Sequence, residues 1–229
     1  METRDIIEEH YKRLGAAYQR KYPNEQFIVF LGMNFFSMPV GERGAIKVLE
    51  LGSGSGANLW VVAREGFQAH GIDYSPAAVQ FCREAMEKWG VAADVRLGDI
   101  TALPYADDEF GIIFDVVSIQ HLNWKQHLDA WREAHRCLKP GGAFFSYHLG
   151  ENSTPLNARP EMVDHCTAAN IPKGLPLENN GNLCFLSANE VRRALGEIGF
   201  SRINIERLQR SYNNQMQFVE YLCISAWKD

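Results

Sequence analysis

The chain has 229 residues, a formal net charge of −5 at pH 7 and a hydrophobic share of 46%, values that fit one globular domain with a sizeable core. The net negative charge is unfavourable for binding a polyanion, so we expect no nucleic-acid partner. No apolar run approaches the ~18 residues of a spanning helix, and the charged start METRDIIEEH lacks a secretory core, so we expect no membrane partner and a cytoplasmic protein.

The N-terminal 40 residues predict helical structure. Ile7, Tyr11, Leu14, Tyr18 and Tyr22 recur at steps of three and four, which places them on one apolar-aromatic helix face. Such a face fits either simple packing of a terminal helix or a lid over a ligand. The apolar run FIVFLGMNFF that follows fits a second helix or an apolar wall.

The run VLELGSGSGANL, from Val48 to Leu59, is an apolar strand followed by a glycine-rich turn and a helix that begins at about Asn58. Glycines at such a turn let the backbone approach a ligand closely. Asp73 ends the next apolar run, where a carboxylate can accept both hydroxyls of a ribose. The pattern predicts a nucleoside site.

Two classes of nucleoside fit this turn. The letters GSGSGA satisfy the dinucleotide pattern G-x-G-x-x-G/A, whereas Glu50 with Gly52, Gly54 and Gly56 satisfies the pattern acidic-x-G-x-G-x-G. A carboxylate just before the turn repels a pyrophosphate and attracts an ammonium or sulfonium group. Electrostatics therefore favours a cationic nucleoside, with a nicotinamide-dependent oxidoreductase or a non-catalytic nucleoside-binding module as alternatives.

Strands and helices alternate through the middle of the chain. The predicted strands are IKVLEL, QAHGID, ADVRLGD, IIFDVVS and AFFSYHL, and the predicted helices lie near 58–65, 76–89 and 124–138. This alternation predicts a parallel sheet with helices on both faces and right-handed crossovers. A capping box at Ser187–Glu190 begins another helix that ends at Gly199, and RINIERLQ and QFVEYLCISAWK predict two final strands.

Five cysteines are spread along the chain without a C-x-x-C pair: Cys82, Cys137, Cys166, Cys184 and Cys223. Their odd number and wide spacing predict reduced thiols and no zinc site. No Asp/Asp/Asn constellation of metal ligands can be recognised, so we predict no bound metal.

At the glycine-rich turn the chain resembles the class I S-adenosylmethionine-dependent methyltransferases. The resemblance covers about residues 46 to 149 and includes GIDYSPAAV, VRLGDI and LKPGGAFF. It implies a Rossmann-like methyltransferase fold, a doubly wound and mostly parallel seven-stranded α/β sheet with an antiparallel last strand. We expect a single domain over residues 1–229.

The resemblance also implies how S-adenosylmethionine and its product S-adenosylhomocysteine are bound. Asp73 matches the residue that binds the ribose, with Tyr74 beside the adenine, and Asp99 and Ile100 match the pair that reads the adenine amino group and covers its ring. Tyr18 resembles a tyrosine that closes over the cofactor in similar small-molecule enzymes. The expected cofactor-binding residues are Tyr11, Tyr18, Glu50, Gly52, Ser53, Gly54, Gly56, Asn58, Asp73, Tyr74, Asp99, Ile100 and Ile119.

Two histidines are candidate general bases. His121 follows the fourth predicted strand and His148 ends the fifth, at the sheet edge where open α/β sheets bind ligands. A neutral imidazole can accept a proton near pH 7, although each histidine also fits a structural hydrogen bond. His135 lies on an apolar helix stripe and is predicted to pack in the core.

The acceptor of the methyl group is expected to be a nitrogen or oxygen of a small polar metabolite. Residues 151–185 form a polar, proline-rich stretch where this fold commonly inserts substrate-binding structure, and we expect mostly loop there. The short chain with its tyrosine-bearing N-terminal helix, residues 1–40, resembles enzymes that act on sugar nucleotides or polysaccharide precursors. We expect a monomer or homodimer.

Overall fold

The computed structural model describes residues 3–15 and 20–229. Its centre is a seven-stranded sheet in the order β3-β2-β1-β4-β5-β10-β9. β1 to β5 run parallel, and β10 is antiparallel to both of its neighbours. The seven strands are β1 (Lys47–Leu51), β2 (Gln68–Asp73), β3 (Ala93–Leu97), β4 (Phe110–Val116), β5 (Leu138–Leu149), β9 (Phe200–Tyr212) and β10 (Gln217–Lys228). The predicted fold class is confirmed.

Helices cover both faces of this sheet. They are α1 (Thr3–Leu14), α2 (Glu25–Asn34), α3 (Val40–Arg43), α4 (Leu59–Arg64), α5 (Pro76–Trp89), α6 (Trp124–Cys137), α7 (Thr154–Asn157) and α8 (Ala188–Ile198). Side chains of β4 alternate between the faces: Ile113 packs with α6 and α8, whereas Ile112 and Phe114 pack with α2, α4 and α5. This period of two is the pleat of a strand that is buried on both sides.

Local signals fix the ends of the helices near the sheet edge. Ser75 caps α5 by accepting a hydrogen bond from the Ala78 amide, and the left-handed Gly90 ends this helix. Asn123 and Gln126 form a reciprocal capping box at the start of α6. Both helices therefore begin close to the carboxyl ends of the strands that precede them.

The N-terminal helix is shorter than the sequence predicted. α1 ends at Leu14, Gly15 has a φ of +49°, and Tyr22 is 78% exposed outside any helix. The left-handed glycine ends the helix, and Tyr22 precedes Pro23, which disfavours helical geometry. Tyr18 lies outside the described residues. Most of the apolar run FIVFLGMNFF lies in α2, so the expectation of a second helix is confirmed.

Most of the segment 151–185 is loop, as predicted. It also holds α7 and a three-stranded sheet of β6 (Glu161–Met162), β7 (Thr167–Ala169) and β8 (Leu183–Cys184). Its buried side chains include Ala168, Leu183 and Phe185, which pack against Leu149 and Val219 of the main sheet. Strands of two or three residues are too short for a readable alternation, so the sequence did not predict them.

Among the residues that the structure describes, no helix is both long enough and apolar enough to cross a bilayer.

Candidate functional site

A cavity of about 810 Å³ opens at the carboxyl ends of the parallel strands. Its lining comes from the turns after β1, β2, β3 and β4, from α1 above them, and from the loop between β7 and β8. This is the edge at which open α/β sheets bind ligands. Most of the predicted cofactor-binding residues line it, together with His121: Tyr11, Glu50, Gly52, Ser53, Gly54, Asn58, Asp73, Tyr74, Asp99 and Ile100.

Two predicted cofactor residues point elsewhere. A Cβ on Gly56 would lie 2.7 Å from Met86 Cε and 2.8 Å from Cys82 Sγ, so this glycine lets α5 pack against the turn instead of facing the cavity. Ile119 is fully buried among the core side chains on the α6 side, because the 3-10 turn Ile119–His121 rotates it inward. Neither residue lines the cavity, so the structure does not bring them together with the other predicted cofactor residues.

Replacing Gly56 by alanine should lower the free energy of unfolding by about 1–3 kcal/mol, since its φ of +83° and the close packing both oppose a Cβ. Gly90→Ala is the matched control, because Gly90 has a similar φ of +66° but nothing within 4 Å of an added Cβ. Urea unfolding should therefore show the larger loss for Gly56→Ala. Equal losses would mean that backbone strain alone sets the requirement for glycine.

The Glu50 carboxylate lies on the floor of the cavity and is only 2% exposed. Its Oε1 accepts a hydrogen bond from Asn58 Nδ2 at 2.7 Å, whereas Oε2 has no hydrogen-bond partner within the described part of the chain. Burial, with the nearby Asp115 and Asp73, raises the pKa of Glu50 well above its usual range. A cation in the cavity would give Oε2 a partner and balance the buried negative charge.

The backbone N–H groups of the glycine-rich turn are largely engaged within the protein. Gly52 and Ser53 both donate to the Ile72 carbonyl, at 2.8 and 3.0 Å, and Gly54 donates to Asp73 Oδ2 at 2.9 Å. A diphosphate site needs such groups free to face the ligand. The turn therefore favours a cationic ligand over a dinucleotide.

Two further carboxylates line the cavity where β2 and β3 end. Asp73 accepts the Gly54 amide through Oδ2 and the Ser75 amide through Oδ1, and burial raises its pKa in spite of these bonds. Asp99 receives Arg4 Nη2 at 2.5 Å and the Thr101 amide at 2.9 Å. Burial raises the pKa of Asp99, but the hydrogen bonds from Arg4 and Thr101 outweigh it and hold this pKa below its usual value.

Helix α1 forms a roof over this end of the cavity. Arg4 pairs with Asp99 and stacks over the Tyr74 ring at 5.4 Å, and Ser75 Oγ donates to Glu8. The Thr3 hydroxyl accepts the Asn182 amide at 2.9 Å. These contacts connect α1 both to the strand ends and to the loop before β8.

His121 lines the cavity, and its Nδ1 lies 3.3 Å from the Asn182 carbonyl. A carbonyl only accepts, so Nδ1 carries the proton and the lone pair is on Nε2. Burial lowers the pKa of His121 to about 4, which keeps the ring neutral at pH 7.

His148 does not reach the cavity. It is fully buried, its Nδ1 donates to the Leu149 carbonyl at 2.9 Å, and its Nε2 lies 2.8 Å from His127 Nε2. Burial lowers its pKa to about 4. The geometry assigns His148 to a buried hydrogen-bonded pair, which corrects its prediction as a base in contact with substrate.

Comparison with known proteins agrees with this geometry. Residues 48–142 match the methyltransferase domain family. A ubiquinone/menaquinone biosynthesis C-methyltransferase of Bartonella henselae is 26% identical over 200 residues, 80% of this chain and 71% of that protein. The solved structure of Haemonchus contortus phosphoethanolamine N-methyltransferase 2, a complex with S-adenosylhomocysteine, has a TM-score of 0.73 over all of this chain and 60% of that one, at 14% identity. These matches support a class I S-adenosylmethionine-dependent methyltransferase.

Several curated relatives are much longer than the part that they share with this chain. The biotin biosynthesis bifunctional protein of Teredinibacter turnerae is 29% identical over 156 residues, which are 63% of this chain but 26% of that protein. The chain likewise covers 41% of a demethylmenaquinone methyltransferase of Tropheryma whipplei.

Several cavity residues of the methyltransferase domain were not predicted. Gln120 is only 5% exposed, and its Oε1 has no partner among the described residues. Asn180, Asn182 and Tyr221 line the same cavity from the loop before β8 and from β10. Only Gln120 carried a local signal, its position directly beside His121; the others reach the cavity through long-range contacts.

The buried histidines predict a pH-dependent stability. An unfolded histidine has a pKa of about 6.5, so below that pH the unfolded chain binds more protons, and the free energy of unfolding decreases towards pH 4. His148→Gln removes one such group and should reduce this slope by up to about 1.4 kcal/mol per pH unit. Urea unfolding from pH 4 to 8 measures this slope, and the slope above pH 7 is the internal control. Equal slopes for both proteins would contradict the assignment.

Proposed function

We propose that the protein transfers a methyl group from S-adenosylmethionine to a nitrogen or oxygen of a small polar metabolite. The observation that carries this proposal is the unpartnered, buried Oε2 of Glu50 on the floor of the cavity that Asp73 also lines. Glu50 Oε2 suits the ammonium of the cofactor's methionine part, and the Asp73 carboxylate suits its ribose hydroxyls.

The remaining assignments follow the lining of the cavity. By resemblance, Asp99 and Ile100 would hold the adenine, with Tyr74 beside it, and all three line the cavity. Gly52, Ser53, Gly54 and Asn58 would shape the floor under the methionine part. Tyr11 would contact the ligand from α1, and we propose that residues 1–40 act as a lid. Tyr18, outside the described residues, keeps its proposed role by resemblance alone.

When bound, S-adenosylmethionine supplies an electrophilic methyl carbon on a sulfonium. The protein's main task is then to align the acceptor with that carbon, since orientation can contribute ~7–11 kcal/mol to lowering the barrier. A general base adds a factor of about 10²–10⁴, or ~3–5 kcal/mol. His121 is the candidate base, because its neutral ring lines the cavity and its Nε2 holds the lone pair.

The lining supports a polar acceptor. Gln120, Asn180 and Asn182 face the same cavity as His121 and offer amide groups to hydroxyls or amines. Gln120 Oε1 has no partner among the described residues, and a long apolar chain would leave it so, at a cost of about 1–3 kcal/mol. The subclass that we propose is a sugar nucleotide or polysaccharide precursor, with segment 151–185 as the acceptor-side wall. The names of the similar proteins point instead to quinone and phosphoethanolamine substrates for those proteins.

Calorimetric titration with S-adenosylhomocysteine and with NAD tests the proposal. We expect micromolar binding of S-adenosylhomocysteine and none of NAD, and the reverse result would support a nicotinamide-dependent oxidoreductase. Radiolabelled methyl transfer to a panel of sugar nucleotides, amines and quinols then tests the acceptor. Binding of S-adenosylhomocysteine without turnover on any member of the panel would favour a non-catalytic nucleoside-binding module.

A further inference from the structure

Three metal-binding side chains meet outside the cavity, in the insertion, and a fourth lies beside one of them. Asp164, His165 and Cys166 each place a ligating atom within 4.8 Å of the others, and Cys184 Sγ lies 2.8 Å from Cys166 Sγ. One carboxylate oxygen, one imidazole nitrogen and two sulfurs are the donor types that zinc prefers, and four is its usual coordination number.

We propose that Asp164, His165, Cys166 and Cys184 form a structural binding site for a divalent ion of the zinc class. Metal–sulfur bonds of about 2.3 Å and metal–oxygen bonds of about 2.0–2.2 Å, at tetrahedral angles, place sulfur and oxygen ligands roughly 3.5 Å apart. Cys166 Sγ and Asp164 Oδ1 are 3.4 Å apart. The two sulfurs must separate to roughly 3.8 Å, and both thiols release their protons to solvent as the ion binds.

Groups around the four ligands hold them in orientation. The Thr167 amide donates to Asp164 Oδ1 at 2.7 Å, and the Trp124 amide donates to Asp164 Oδ2 at 2.7 Å. Glu190 Oε1 lies 2.6 Å from His165 Nε2. When Nε2 donates to this carboxylate, the lone pair on Nδ1 remains for a metal, the arrangement common around metal-bound histidines.

The four-donor set favours an ion over a disulfide between the two cysteines. A disulfide would need an oxidant and would use only the two sulfurs, whereas an ion would use the two sulfurs together with the Asp164 carboxylate and the His165 imidazole. Both thiols are buried, while His165 is exposed, which leaves a path from solvent for an ion. Binding would join β7 and β8 to the start of α6 and fix the loop whose Asn182 contacts His121.

Cobalt(II) provides the test, because thiolate ligands give it a charge-transfer absorption in the near ultraviolet. The full chain is reduced, freed of metal with a chelator, desalted, and titrated with Co²⁺ and then Zn²⁺. We expect one equivalent of Co²⁺ with the thiolate absorption, displaced by Zn²⁺. Cys184→Ser should abolish the absorption, and Cys223→Ser, which alters a cysteine on β10, should leave it unchanged.

His165→Ala removes an exposed ligand and should leave the fold intact while weakening Zn²⁺ binding at least tenfold in a chelator competition. Failure to bind one equivalent, or unchanged affinity in His165→Ala, would overturn the proposal. So would an intact mass lower by two hydrogens in the metal-free chain, which would identify a disulfide. None of these readouts depends on methyl transfer.

Discussion

Replacing Glu50 by glutamine should weaken the binding of S-adenosylhomocysteine by at least about 30-fold, roughly 2 kcal/mol. The substitution keeps the size of the side chain but removes the buried negative charge that would face the ligand's ammonium, and truncating such a buried charge pair typically costs about 2–5 kcal/mol. Isothermal calorimetry measures the affinity. Glu87→Gln, on the exposed side of α5, is the control and should leave it unchanged.

The same titration carries a second readout. The pKa of Glu50 is raised well above its usual range in the free protein, first of all by burial, and a bound cation lowers it again. Binding should therefore release protons at pH values between the free and bound pKa, and affinity should fall as the pH drops below the free value. Buffers of different ionisation enthalpy reveal this release, and Glu50→Gln should lack it. An unchanged affinity together with unchanged proton release would place the ammonium elsewhere.

Asp73→Ala should lower the affinity for S-adenosylhomocysteine by about 10- to 150-fold, since hydrogen bonds to a charged acceptor are worth about 1.5–3 kcal/mol. Part of any loss would come from the turn, because the Asp73 carboxylate also accepts the Gly54 and Ser75 amides. The comparison therefore includes the 2′-deoxy analogue of the ligand.

Native protein should bind the 2′-deoxy analogue more weakly than the parent ligand, and Asp73→Ala should bind the two alike. This double-mutant logic isolates the contact between carboxylate and hydroxyl from changes in the turn. If Asp73→Ala still discriminates between the two ligands to the native extent, the ribose lies against another residue.

Alternation of apolar strands and amphipathic helices was sufficient to predict the main sheet and its helices. Helices α4, α5, α6 and α8 were placed to within one residue, and in three of them Ser75, Asn123 and Ser187 mark the starts chemically. The order in which the last two strands pair came from the resemblance, since alternation alone does not distinguish an inserted antiparallel strand from an edge strand.

The direction in which side chains point was less predictable. Gly56 and Ile119 both lie in motifs that form the cavity, yet one faces α5 and the other the core, because a turn rotates successive residues by amounts that the sequence does not show. Cys166 and Cys184 are separated by a loop, and their sulfurs come together only when β7 and β8 pair. For the same reason the contact between Arg4 and Asp99, 95 residues apart, had no local signal.

The roof that α1 forms determines how easily a nucleoside can enter or leave. The Arg4 and Asp99 side chains are 45% and 35% exposed, and an ion pair so open to water contributes at most about 1 kcal/mol. Breaking this ion pair therefore costs little, and dissolved salt lowers that cost further, whereas the Ser75–Glu8 and Thr3–Asn182 hydrogen bonds of α1 must open as well. Ligand exchange under α1 should accordingly become faster as the ionic strength rises.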